Sequence, residues 1–367
     1  MRVALVHEYM VQYGGAERVL EVFREIFPNA PIFTLLYDPE STHGKFQNAD
    51  IRVSFLQKIP FAKKYHRLFP ALMPLAIEQF DLSYYDLVIS DSSSFAKGII
   101  TLPKTKHICY CHTPMRFAWD DCQSYTKESD YPSAVKKFVP FAMNYIRIWD
   151  EVAAKRVDHF IANSNFVASR IKKYYQQDSI VIYPPVDARE MQAQTNKNKK
   201  RPKYFLAFTR LLSYKNIGIV VDVFNQLGLP LKVVGVGPLM KKLKKKANIN
   251  IEFLGFLPEE KKVEIYSDAR AFLFPQEEDF GITAVEAMAC GTPVIAYRGG
   301  GALETIVENE NGIFFNEQTP QSLLKAIYEF ISKEKSFDSP KIQKRALQFD
   351  KEIFKKNIKN FIEKIIS

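Results

Sequence analysis

The chain of 367 residues is 47% hydrophobic and 25% charged, an ordinary globular composition that excludes a disordered or collagen-like chain and, at roughly 150 residues per domain, a single small module. Its four cysteines, Cys109, Cys111, Cys122 and Cys290, are too few for a disulfide scaffold and lack C-x-x-C spacing, so they read as reduced thiols of a cytosolic protein. Net charge is +10, with 22 basic and 20 acidic side chains in residues 1–187 against 29 and 21 in 188–367; this leaves open a lysine-rich solvated surface or an anionic partner such as nucleotide phosphate, phospholipid or nucleic acid.

Short β-branched runs alternate with helical periodicity from the start. Strands are expected at 2–7, 32–36, 86–90, 107–111, 159–162 and 180–183, and a helix at 16–27 that lines up Val19, Leu20, Phe23, Ile26 and Phe27 on one face. The apolar run at 3–6 is too short for a signal-peptide core. The longest apolar run, 68–77, holds two prolines, against about 20 residues needed to span a bilayer. Tyr183-Pro184-Pro185-Val186-Asp187 interrupts the pattern, and the polar, basic tract 192–202 reads as a linker. The alternation then restarts, with strands at 204–209, 231–235, 251–254, 271–275 and 293–297 and helices at 216–227, 239–247, 258–267 and 282–290. The expected class is α/β, two Rossmann-like domains facing across a cleft, with ligands beyond the carboxyl ends of the strands. Domains are placed at 1–187 and 188–350. The apolar stripe Ile353, Phe354, Ile358, Phe361, Ile362 and Ile365 in a last helix, 351–367, requires a partner surface, expected on the first domain.

The most specific motif spans 276–293. Glu278 lies in a loop after an apolar strand, and Glu286 follows eight residues later inside a helix that begins at Gly281 and is stopped by Gly291 and Pro293. The amides of Gly281, Ile282 and Thr283 at that helix start suit a phosphate group. Paired carboxylates also serve glycosidases as acid and nucleophile, but such a pair must flank one bond.

Glu278-x7-Glu286, with Phe280-Gly281-Ile282 between and Ala287-Met288-Ala289-Cys290-Gly291-Thr292-Pro293 after, resembles the donor-site signature of the retaining glycosyltransferases of family GT4, which have the GT-B fold. Gly14-Gly15-Ala16-Glu17 resembles the family's first glycine-rich turn, Thr209-Arg210 with Lys215 its Arg/Lys diphosphate pair, and the Gly235 and Gly255 segments its intervening strand ends. Cys111-His112-Thr113-Pro114-Met115-Arg116 and the Tyr183–Asp187 segment most resemble the WbaZ-like O-antigen mannosyltransferases. The resemblance implies that Arg210 and Lys215 neutralise the donor diphosphate and that Glu286 holds the ribose. It further implies that Glu278 meets a hydroxyl of the transferred sugar, that Gly14 and Gly15 bring amides to the diphosphate, and that Phe256 and Leu257 flank the base. Gly235 and Phe280 join the donor site; His112 contacts the donor sugar near the reacting carbon; Arg116 and Glu17 are placed at the acceptor. Gly300 and Glu304 lie in the loop and helix that follow the donor motif. No D-x-D triplet occurs in the chain, which fits chemistry without a metal or other cofactor, two fixed cations and helix N-termini serving in its place.

The implied activity is hexosyl transfer, α-mannose from GDP-mannose, to a glycan or polyprenyl-diphosphate-linked acceptor in lipopolysaccharide or other surface-polysaccharide biosynthesis. A UDP-sugar donor is the alternative within the family. From another class, a basic nucleic-acid- or membrane-binding protein without catalysis is the second alternative, but no nucleic-acid-binding module is recognisable. Arg52, Lys58, Lys63, Lys64 and Arg67, interleaved with Phe55, Phe61 and Phe69 and with no acidic residue, fit either a substrate-side loop or an anionic membrane surface. The expected location of the enzyme is cytoplasmic, and the anionic-surface reading of this segment would set it peripherally on the inner face of the plasma membrane. The lysine run 241–246 reads as a solvated helix face.

Overall fold

The computed structural model describes residues 1–65, 70–120, 139–195 and 204–366. Cys122, the stretch Arg67, Leu68 and Phe69, and most of the expected linker lie outside the described residues. The chain divides into two compact units, residues 1–183 with 355–367, and residues 184–354.

The first unit holds a seven-stranded parallel sheet made of β1 (Val3–Met10), β2 (Ile32–Tyr37), β3 (Ile51–Val53), β4 (Leu87–Ser92), β5 (Lys106–Cys111), β6 (His159–Ala162) and β7 (Ser179–Val181), in the order β3-β2-β1-β4-β5-β6-β7. Both faces are covered, so the central strands read as continuous apolar runs, with β4 buried throughout. The helix Gly15–Ile26 follows β1 and buries Val19, Leu20 and Phe23 on the sheet. β3 escapes the sequence pattern because it is a three-residue edge strand with an exposed Arg52 at its centre.

The helix Val139–Ala154 buries Met143, Ile146 and Ala153 in one apolar core with Met73, Ile77, Phe95 and Ile99. It is anchored by a fully buried ion pair between Lys97 and Asp150. The second Asp150 oxygen accepts from Trp119 Nε1–H and from the Tyr175 hydroxyl, each at 2.8 Å. A buried pair with its remaining lone pairs satisfied in this way fixes orientation, because any rotation of the helix would strand a charge out of water.

The second unit repeats the plan with β8 (Tyr204–Phe208), β9 (Leu231–Val234), β10 (Ile251–Gly255), β11 (Ala269–Phe274), β12 (Val294–Tyr297) and β13 (Gly312–Phe315), all parallel, in the order β10-β9-β8-β11-β12-β13. β13 was not expected: four residues, all buried, offer no alternation to read. In the C-terminal helix Lys351–Ile366, Phe354, Ile358 and Ile362 are buried; residues 355 onward belong to the first unit, where the Phe361 ring meets His159 edge to face at 5.9 Å.

Each sheet reverses strand order once at its centre, between β1 and β4 and between β8 and β11. In doubly wound sheets the loops leaving the carboxyl ends of those two strands diverge and leave a crevice for ligand.

Candidate active site

In the first unit the loops at this switch point are 11–14 after β1 and 93–95 after β4, with His112 just past the end of β5. The parallel register sets His7 opposite Asp91, so both side chains leave the same face of the sheet. His7 Nδ1 lies 2.9 Å from Asp91 Oδ2, and the other Asp91 oxygen is 2.6 Å from His112 Nε2. On its far side His7 Nε2 is 3.7 Å from Glu17 Oε1. Four side chains thus run in one line, Glu17, His7, Asp91 and His112, buried except for His112, whose side chain keeps 13% of its surface exposed.

Burial pushes His112 down, but the carboxylate of Asp91 beside it outweighs this and holds the imidazole above its ordinary value. His7 is held well above its own, burial being outweighed by Asp91 and Glu17. The two imidazoles outweigh burial at Asp91 in turn and hold its carboxyl below the usual range. A second carboxylate stiffens the adjoining turn. Glu8 Oε1 accepts from the Ser92 hydroxyl at 2.9 Å and from the N–H groups of Ser93 and Ser94 at 2.8 and 2.6 Å.

Glu17, expected at the acceptor, is 2% exposed and otherwise occupied: its carboxylate accepts from the Gly14 N–H at 2.8 Å, three residues back, as a helix cap. The cap fixes Gly14 and Gly15 at the start of the helix Gly15–Ile26. Arg116 is half-buried in the turn that follows His112.

In the second unit the switch-point loops carry Arg210 after β8 and the 276–281 segment after β11. Arg210 is exposed, whereas Lys215 is buried in the short 3-10 turn Ser213–Lys215. Lys215 Nζ is ion-paired with Glu278 and lies 4.8 Å from the centre of the Tyr214 ring. The structure therefore brings together Lys215 and Glu278, residues 63 positions apart. Glu278 is followed by the helix Ile282–Ala289, capped by Gly281 at φ +96°, a conformation open to glycine at little cost. The amides of Gly281, Ile282 and Thr283 bond to no acceptor among the described residues.

Glu286 sits inside that helix at 4% exposure. Its Oε2 accepts from the Tyr266 hydroxyl at 2.9 Å, and Oε1 is 3.5 Å from Lys262 Nζ. The two carboxylates thus have separate partners, which argues against the shared-bond geometry of a glycosidase pair. Phe280 has its ring in the core, edge-on to Phe349 at 5.4 Å, so only its backbone stands at the helix start. Gly235 lies at the carboxyl end of β9, its N–H donating to Gly255 at 2.7 Å; beyond Gly255, Phe256 is exposed and Leu257 half-buried.

Several residues of these clusters escaped the sequence reading. His7, Glu8 and Asp91 come together through strand register 84 positions apart, and no local spacing marks them. Tyr266 and Lys262 likewise belong to an unremarkable helix. The triplet Gly299-Gly300-Gly301 has a reason that spacing alone did not supply. A Cβ on Gly300 would stand 2.2 Å from the Glu278 carbonyl, and that same carbonyl accepts from the Gly301 N–H at 2.8 Å. The triplet is the backing of the Glu278 loop. Glu304 follows it in the helix Ala302–Thr305.

Residues 13–190 match the family model described as Glycosyltransferase Family 4, and residues 187–347 the model described as Glycosyl transferases group 1. Among curated relatives, an α-1,3/1,6-mannosyltransferase of Dictyostelium discoideum is 24% identical over 67% of this chain and 67% of its own. An O-antigen chain mannosyltransferase C of Escherichia coli is 27% identical over 49% of this chain and 53% of its own. The chain spans about half to two thirds of the length of the curated relatives it matches. Among solved structures, the sucrose-phosphate synthase of Thermosynechococcus elongatus superposes with a TM-score of 0.75 at 17% identity, covering 99% of both chains. HepE of Anabaena, solved in complex with UDP, superposes at 0.69 with 19% identity, covering 99% of this chain and all of its own.

Proposed function

The chain belongs to the glycosyltransferases of the family 4 type, with the GT-B fold, and from that premise we propose that it is a retaining hexosyltransferase that moves α-mannose from GDP-mannose. The observation that carries the reading is the ion pair of Lys215 with Glu278 beside the open amides of Gly281, Ile282 and Thr283. A buried cation, a carboxylate and a helix N-terminus within one strand-end loop cluster match a sugar linked to a diphosphate: cation and amides for the phosphates, carboxylate for a sugar hydroxyl. The relatives named mannosyltransferases support mannose as the sugar.

On this reading donor binding exchanges partners. The diphosphate takes Lys215 from Glu278, and Glu278 turns to the sugar. Arg210 adds the second cation. Glu286 accepts from the ribose hydroxyls, Phe256 and Leu257 flank the base, and at the Gly14-Gly15 turn Gly15 offers its amide to the diphosphate, the Gly14 N–H being held by Glu17. His112, oriented by Asp91, contacts the sugar near its reacting carbon. The bond from C1 to the diphosphate oxygen breaks and the acceptor oxygen bonds to C1 on the same face. The acceptor's proton goes to the departing phosphate oxygen, so no protein nucleophile is required. The cations and helix starts take the charge that a metal would otherwise carry.

The acceptor is a glycan or lipid-linked oligosaccharide of surface-polysaccharide assembly, in the manner of the WbaZ-like subgroup, reached by an enzyme peripheral to the membrane. No helix among the described residues is long and apolar enough to cross one. A UDP-linked hexose is the second donor reading, because contacts through the main chain at 256 and 257 do not discriminate guanine from uracil.

Proton NMR of GDP-mannose turnover, with water as the slow acceptor, tests the reaction. The α-anomer is expected to appear first, ahead of mutarotation. Initial release of β-mannose would contradict retention, and turnover of UDP-hexoses alone would contradict the donor.

A further inference from the structure

His7 stands between two carboxylates. Its Nδ1 faces Asp91 and its Nε2 faces Glu17, and only an imidazole with a proton on each nitrogen can serve two acceptors, so His7 is a buried imidazolium. Glu17 also reaches the adjoining turn. Its Oε2 holds the Gly14 N–H, and its Oε1, besides facing His7, accepts from Gln12 Nε2–H at 3.4 Å. One carboxylate therefore fastens the 12–14 turn at two points and balances the His7 charge at a third.

At the other end of the line Asp91 turns one oxygen to each imidazole, so His7 and His112 compete for a single carboxylate. The other groups that bear on His112 are Glu8 and the Tyr110 ring, edge-on at 5.3 Å. Glu8 is held at the turn after β4 by Ser92, Ser93 and Ser94, and Arg170, which donates to the neighbouring Thr113 at 2.6 Å, is paired with Asp120. The inner three side chains of the line, Glu17, His7 and Asp91, are almost fully buried. A charge removed at Glu17 is therefore felt along the line instead of being screened by solvent.

We propose that Glu17 and His7 are positioning residues that couple the Gly14–Gly15 turn to His112: the carboxylate that fastens the turn also balances the His7 imidazolium, and that imidazolium governs how much of the Asp91 charge His112 receives. The inference deepens the proposed function and rests on it for its purpose, because the turn and His112 are the two places where that reading brings the first unit to the donor. With Glu17 neutral, two cations would share one carboxylate of the line. His7, the more deeply buried of the two, gives up its proton, and Asp91 is left to His112. Protonated His112 then persists to higher pH, the opposite of what loss of Asp91 itself produces.

NMR titration of the full chain carrying isotope-labelled histidine, in the wild type and in Glu17→Gln, tests this. Glutamine at that position keeps an oxygen for the Gly14 N–H, so the cap survives while the charge is lost. Glu17→Gln is expected to lower the His7 titration by about one pH unit or more and to move that of His112 upward. His7→Gln, which removes the competing cation directly and leaves the cap alone, is expected to move His112 upward as well. In turnover both variants should carry the alkaline limb of the pH–rate profile to higher pH, with the thermal midpoint as the check on folding. A His112 titration that stays in place or falls in either folded variant overturns the proposal. The titration is read without donor, so it decides this inference whether or not GDP-mannose is turned over, and the response of the midpoint to nucleotide decides the donor site separately.

Discussion

Replacing Arg210 or Lys215 by alanine is expected to lower hexosyl transfer by about a hundredfold each, with the fold intact. In a loose, charge-separated transition state the departing diphosphate gains negative charge, and a fixed cation beside it stabilises that state more than the ground state. A hundredfold loss corresponds to about 2.7 kcal/mol, the scale of one preorganised charged contact in a partly dry site. The two residues differ in surroundings. Arg210 is exposed, while Lys215 is buried against Glu278 and the Tyr214 ring. Lys215→Ala therefore also removes the cation beside Glu278, so Lys215→Ala with Glu278→Gln is the companion that separates lost catalysis from a stranded carboxylate. Steady-state kinetics with circular dichroism as the check on folding decide the matter. A fully active Arg210→Ala, Lys215→Ala double variant would remove the diphosphate assignment.

The second large effect is expected at Asp91, which touches no proposed ligand atom and acts through His112. Asp91→Asn should reduce turnover tenfold or more and should move the alkaline limb of the pH–rate profile to lower pH. The sign follows from the environment. Asp91 outweighs burial and holds the His112 imidazole above its ordinary value. Without the carboxylate, burial dominates and the protonated form is lost at lower pH. If protonated His112 donates to the donor, activity falls where that proton is lost. Asp91→Asn also removes the partner of His7, so the thermal midpoint must be followed alongside. A slower variant with an unmoved pH limb would reduce Asp91 to a structural element. An unchanged rate would remove His112 from the reaction altogether.

These two predictions differ in how readily the sequence announced them. Glu278 and Glu286 are marked by local spacing around a helix start, and Arg210 and Lys215 by resemblance to the family's diphosphate pair, so that part of the candidate site was legible in short stretches of sequence. The alternation of β-branched runs and helical periodicity likewise disclosed two parallel α/β sheets. The line from Glu17 through His7 and Asp91 to His112 was hidden. His7 and Glu8 were read as the point where the first strand ends, whereas β1 continues to Met10 and turns both residues into its carboxyl-end cluster. The surroundings of Glu17 were hidden for a related reason: a carboxylate three residues into a helix serves equally well as a cap or as a surface contact, and only the fold sets it against the Gly14 N–H and His7.

On the proposed function the second unit binds a nucleoside diphosphate sugar, with GDP as its nucleotide. The most direct measurement is the thermal midpoint of the full chain with saturating GDP, UDP or ADP, in EDTA throughout. A ligand at a hundred times its Kd adds about 2.7 kcal/mol to the folded state, enough to raise the midpoint by several degrees. GDP is expected to raise it, and UDP and ADP to raise it less. A shift with UDP alone would keep the fold and the site but overturn the donor, and no shift with any of the three would contradict the donor site itself.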